Sequence, residues 1–168
     1  AALYLAAAGV GRLGLVDPDV VDASNLQRQI LHGESWLGKP KLESAVARLR
    51  EINPHIIVEP HPVRLTPDNA LALAAGYDLL LDGCDNFATR LAVSDACVAL
   101  GVPLTSAAVG RFQGQIGNFA GHQPDEACYR CFVGDAHDPD ECDDCATQGV
   151  LGAMCGLMGS FAAMEAIR

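Results

Sequence analysis

Short apolar runs and helical repeats alternate along almost the whole chain, and this alternation restricts the fold more than any other feature of the sequence. RLGLV is an apolar run that emerges into a loop at Asp17. After that loop, KLESAVARLREI places Leu42, Ala45, Val46, Leu49 and Ile52 at helical spacing, and Asn53-Pro54 stops it. HIIVEP, YDLLLD and VPLTSAAV read as buried strands, separated by the helical segments PDNALALAAG and DNFATRLAVSDACVALG. RFQGQIGNFA alternates as an extended strand, and GVLGAMCGLMGSFAAMEAIR closes the chain as a small-residue helix. The pattern predicts an α/β fold with a doubly wound, mostly parallel, Rossmann-like sheet whose ligands bind at the carboxyl ends of the strands.

Charge narrows the partners. The 168 residues carry a formal net charge of -10, the wrong sign for a protein that grips a phosphate backbone, so nucleic acid is excluded as the main partner. Eight of the twenty-one acids fall between Asp125 and Asp144, where Arg130 is the only base. The longest uncharged apolar run, from Gly149 to Met164, is shorter than the roughly 20 residues of a membrane helix. A cytoplasmic enzyme or binding domain is expected. The opening AALYLAAAGVG reads as the second half of an Ala-rich helix closed by glycine, with something upstream removed.

Chemistry-bearing residues gather at the expected strand ends. Asp17 follows LGLV directly, where a carboxylate either accepts bonds from ribose hydroxyls or caps a turn. Asn25, Arg28 and Lys41 lie just beyond it and suit phosphate oxygens, with surface salt bridging as the alternative for the two cations. Asp82 and Asp85 flank the end of YDLLLD and are followed by Asn86. One acid is placed for a magnesium ion, and Asp85 has a second reading as the cap of the next helix.

Seven cysteines include two CxxC pairs, which favour thiolate metal ligation over structural disulfides in a chain of this type. Cys128 and Cys131 with Cys142 and Cys145 form one possible four-cysteine zinc site in a Cys-rich loop. Cys145 also precedes a glycine-punctuated helix, where a thiolate is favoured. Cys84, Cys97 and Cys155 are expected to be buried core thiols. The closing helix spaces Gly152, Gly156, Gly159 and Ala163 for close packing, within the sheet sandwich or at a subunit interface.

DPDVVDASNLQRQILH, GKPK, DGCDN, GQIGNF, CYRC and GSFAAMEAI, in that order, resemble the HesA/MoeB/ThiF family of ubiquitin-activating-enzyme-like adenylyltransferases. The resemblance covers essentially residues 1–168. It implies MgATP-dependent adenylation of the C-terminal glycine carboxylate of a ubiquitin-like sulfur carrier ending in Gly-Gly, for thiamine or molybdopterin biosynthesis, by a homodimer. It further implies that Asp17 binds ribose, that Asn25, Arg28 and Lys41 contact phosphates, and that Asp85, with Asn86 beside it, holds magnesium. Cys128 and Cys131 match the family's first zinc pair, its second pair lying beyond Arg168, and Cys145 matches the thiol that captures the carrier in some members. The family's first strand and glycine-rich phosphate loop are not in this sequence, so the chain by itself is expected to adenylate poorly. Two rival readings stand beside this one: an NAD-linked oxidoreductase in which Asp17 binds ribose, and a noncatalytic carrier-docking module.

Overall fold

The computed structural model describes residues 1–134 and 149–168. Helix α1 (Ala2–Ala8) ends at Gly9, whose φ of 83° lets the chain reverse. The Gly9 and Val10 amides then bond the Ala6 and Leu5 carbonyls, satisfying the helix end. Strand β1 (Arg12–Val16) follows and pairs in parallel with β2 (Ile57–His61), from Arg12 opposite Ile57 to Val16 opposite His61.

Between them runs α2 (Lys41–Ile52), over the span the apolar spacing predicts. Its Leu42, Ala45 and Leu49 are buried, and Leu49 joins Ala6, Leu13, Ile56 and Val58 in one core. Asn53 then turns the chain. Its amide nitrogen donates to the Ala6 carbonyl at 2.9 Å and its Oδ1 accepts from the His55 amide at 3.0 Å, so β2 starts two residues later than the apolar run HIIVEP suggests.

The second half contains α3 (Pro67–Ala74), β3 (Leu80–Asp82), α4 (Phe87–Leu100), β4 (Leu104–Val109), β5 (Gly114–Phe119), α5 (Tyr129–Val133) and α6 (Gly152–Ile167). Strand β3 runs parallel to β4, and β5 returns antiparallel to it. Helices α3 and α4 meet through Ala70, Ala74, Ala92 and Ala96, whose short side chains permit a close approach.

The β4–β5 register separates the two faces of this sheet. Leu104 and Phe119 face Val93 and Cys97 of α4, while Asn118, bonded to Thr105, reaches Glu165 of α6 at 2.6 Å. Helices therefore cover both faces, as expected for a doubly wound arrangement. Among the described residues, however, the strands form two separate sheets, β1-β2 and β3-β4-β5, rather than one. No described strand pairs with the second edge of β1 or of β3.

Of the small residues of α6, Ala163 is buried and Gly152 and Gly159 are half-buried, whereas Gly156 faces open space. Helix α6 lies on β4, β5 and α1, with Met158, Ala162 and Ala163 buried. A Cβ added at Gly152 would collide with the Gln27 carbonyl oxygen, so this glycine is what allows the 22–36 loop to sit on the helix start. No described helix is long and apolar enough to cross a membrane.

Candidate functional site

The last rung of the β1-β2 ladder is the Asp17 amide on the His61 carbonyl, and beyond it the chain leaves the sheet. The Asp19 amide turns back to Asp17 Oδ1 at 2.9 Å. Residues 19–21 then pair with 37–41: the Val21 amide bonds the Lys39 carbonyl, the Gly38 amide the Val21 carbonyl, and the Lys41 amide the Asp19 carbonyl. This short ladder closes the intervening loop on itself and delivers Lys41, far along the sequence, to the end of β1.

Lys41 opens α2, and its side chain is 10% exposed. Its ammonium lies 3.1 Å from Asp19 Oδ2 and 3.7 Å from Asp17 Oδ2. The two carboxylates offset the repulsion that the positive end of a helix exerts on a cation at its first residue. His32 stands behind them, its Nδ1 3.0 Å from the Oγ of Ser44. Burial and then the Lys41 charge hold the His32 pKa below its ordinary value, against the pull of Asp17, so the ring is neutral near pH 7.

The loop itself is organised by Asp22, whose Oδ1 accepts from the Ser24 amide at 2.8 Å and the Ser24 hydroxyl at 2.5 Å. Those hydrogen bonds lower the Asp22 pKa. Asn25 donates to Ser24 Oγ at 3.1 Å, and Arg28 Nη1 to the Ser24 carbonyl at 3.1 Å. Ser24 thus gathers Asn25 and Arg28 on one turn. Gln29 Oε1 is buried there with no hydrogen-bond partner.

At the end of β3 the two acids part company. Asp82 is buried, and its Oδ2 accepts from Ser106 Oγ at 2.8 Å and faces Arg90 Nη1 at 3.4 Å. Its other oxygen accepts from the Cys84 amide at 2.8 Å. Arg90 also bonds the carbonyls of Cys84 and Ala107 and the Ser106 hydroxyl. Asp82 is therefore committed to an internal network and unavailable to a metal, whereas Asp85 lies on the turn that the network fixes. The cap of α4 is Asn86, not Asp85: Asn86 Oδ1 accepts from the Thr89 amide at 2.8 Å.

Of the three cysteines expected in the core, Cys97 is fully buried, while Cys84 and Cys155 are partly buried. Burial, then the Asp82 charge, raises the Cys84 pKa, so that thiol is a poor nucleophile. Cys128 and Cys131 bring their sulfurs to 3.2 Å, and the Cys131 amide donates to Cys128 Sγ at 3.4 Å. Burial opposes ionisation of Cys128, but hydrogen bonds from Cys131 and Arg130 prevail and lower its pKa. Two convergent sulfurs suit one edge of a tetrahedral thiolate site. Cys142 and Cys145 lie outside the described residues, and among those described no cluster of three or more metal-binding side chains is present.

The structure thus brings together Asp17 with Lys41, Asn25 with Arg28, Asp85 with Asn86, and Cys128 with Cys131. Sequence reasoning missed Asp19, His32, Ser44, Arg90 and Ser106. Only Arg90 had a local signal, since it lies one helical turn after Asn86 and so points back at the DGCDN turn.

The chain is similar to known proteins along its whole length. The model of the ThiF family matches residues 1–168. The chain is 48% identical over 167 residues to the mouse (Mus musculus) adenylyltransferase and sulfurtransferase MOCS3, covering 99% of this chain and 36% of that protein. It is 45% identical over 165 residues to the SAMP-activating enzyme E1 of Haloferax volcanii, covering 98% of this chain and 60% of that protein. The chain therefore spans only part of the length of these relatives. A crystal structure of E. coli MccB with MccA-N7isoASN shares the fold, with a TM-score of 0.82 at 21% identity over 98% of this chain and 50% of that one. E. coli tRNA N6-threonylcarbamoyladenosine dehydratase TcdA, solved with AMP, matches at a TM-score of 0.60 and 32% identity over 62% of this chain and 43% of that one. The family model over residues 1–168 and the identity to these relatives show that the chain belongs to the ThiF family.

Proposed function

We propose that this chain carries the nucleotide site of an adenylyltransferase that transfers AMP from ATP to the C-terminal carboxylate of a ubiquitin-like sulfur carrier. One observation supports it above the rest: a nearly buried lysine, held between two carboxylates, stands at the carboxyl end of a parallel strand in a chain closely similar to named adenylyltransferases.

In this reading Asp17 accepts from the ribose hydroxyls, and Asn25, Arg28 and Lys41 hold the phosphates. The carrier's C-terminal carboxyl has an ordinary pKa of about 3.3–3.7, so it is an anion at neutral pH and needs no base. One of its oxygens attacks the α phosphorus. The new bond is that of an acyl adenylate, the bond from the α phosphorus to the bridging oxygen breaks, and its electron pair leaves with pyrophosphate. Arg28 and Lys41 neutralise the charge that develops on the phosphate oxygens, the larger part of what such a step requires.

Asp85, on the turn that follows β3, with Asn86 beside it, would hold a magnesium ion, which would screen the charge of the phosphates. Cys128 and Cys131 would supply two thiolates of a zinc site, and zinc there would stabilise an acidic segment with little apolar area. Cys145 is the thiol for a covalent carrier adduct. In this reading the protein works as a homodimer.

Exchange of labelled pyrophosphate into ATP tests the reading. The full-length protein catalyses exchange in the presence of a carrier, and the 168-residue chain does so poorly. NAD-dependent turnover without exchange overturns the proposal.

A further inference from the structure

Asp19 touches Lys41 and Asp17 with every polar group it has. Its carbonyl accepts from the Lys41 amide at 2.9 Å, its carboxylate lies 3.1 Å from Lys41 Nζ, and its amide donates to Asp17 Oδ1 at 2.9 Å. A lysine ammonium is a point charge on a four-carbon stem, and fixing it costs about 2 kcal/mol of rotamer freedom. At the first residue of α2 it is also pushed outward by the positive end of the helix. Asp17 holds it less closely, at 3.7 Å.

We propose that Asp19 is a positioning residue for adenylation: its carboxylate keeps the Lys41 ammonium aimed along the strand end when the nucleotide claims Asp17. The inference rests on the reading that Asp17 takes ribose and Lys41 takes phosphate. The two carboxylates then divide the work, with Asp17 exchanging its lysine contact for the ribose and Asp19 retaining it.

The kinetic signature follows from charge. A carboxylate beside a polyphosphate repels it, so Asp19 weakens ground-state binding of ATP and repays this only through placement of Nζ in the transition state. Asp19→Ala keeps both main-chain bonds and removes only the carboxylate. In the full-length protein it lowers kcat for carrier adenylation about tenfold while the KM for ATP stays level or falls. Asp19→Glu, which restores the charge on a longer stem, recovers part of the lost kcat.

An unchanged kcat in Asp19→Ala overturns the inference. So does a loss of kcat accompanied by a raised KM and a lowered Tm without recovery in Asp19→Glu, because that is the pattern of a purely structural residue. The underlying reading fails separately: a wild-type protein that catalyses no ATP–pyrophosphate exchange overturns both, whereas a wild type that exchanges beside an unaffected Asp19→Ala overturns this inference alone.

Discussion

Arg90 Nη1 lies 3.4 Å from Asp82 Oδ2 at the root of the turn that presents Asp85, and both side chains are almost wholly removed from water. A pair in that position costs desolvation on both sides, and removing one partner strands the other. Arg90→Ala leaves Asp82 as an uncompensated buried charge and is expected to cost about 3–5 kcal/mol. Urea unfolding, read as a shift of midpoint at constant slope, measures it. A loss below about 1 kcal/mol contradicts the assignment.

Arg28 and Lys41 differ in how much of the fold depends on them. Arg28 bonds one carbonyl on an exposed turn, so Arg28→Ala is expected to leave Tm nearly unchanged and to slow carrier adenylation by roughly a hundredfold. Lys41→Ala slows it at least as much and also lowers Tm, because Asp17 and Asp19 then face each other without a cation. Steady-state rates with carrier, beside thermal melts, separate the two.

His32 makes stability depend on pH in a definite direction. Its folded pKa lies below the ordinary value, so between that folded pKa and about 6.5 the unfolded chain binds the additional proton. Stability therefore rises with pH through this window and is lost as pH falls through it, levelling off once the folded ring also protonates. Denaturation at pH 7.5 and 5.5 is expected to show a larger acid loss in the wild type than in His32→Gln. Equal losses contradict it.

Two glycines of α6 have opposite prospects. Gly152→Ala forces a methyl against the Gln27 carbonyl and is expected to cost about 1–3 kcal/mol, with weaker nucleotide binding because the loop carrying Arg28 is displaced. Gly156 has open space where a Cβ would stand, so Gly156→Ala is expected to stabilise the helix by about 0.5–1 kcal/mol. Thermal unfolding of the two variants in parallel tests the contrast.

Local rules made the elements legible and stopped where distant parts meet. Leu42, Ala45 and Leu49 announce α2 because a helix repeats its buried face every three or four residues, and Asn53-Pro54 announces its end. YDLLLD, in contrast, promised a strand of six residues and gives three, Leu80–Asp82. Tyr77 turns away to bond Glu59 of β2 at 2.6 Å, with Arg12 over its ring, and burial followed by Glu59 pushes its pKa up to about 12. No spacing along the chain reveals such a contact. The meeting of Asp17 and Lys41 follows from the order of the elements, since Asp17 follows β1 and Lys41 opens the next α-helix. Asp19 and Ser106 were not legible, since each owes its place to a partner more than twenty residues away.

The rungs joining residues 19–21 to 37–41 turn what lies between them into a cassette. Besides those rungs, His32 ties the segment to α2 through Ser44 and Gln27 seats it on Gly152, so its tip at Glu34–Trp36 is held on either side. A change at the tip therefore has a tether to pass before it reaches Lys41.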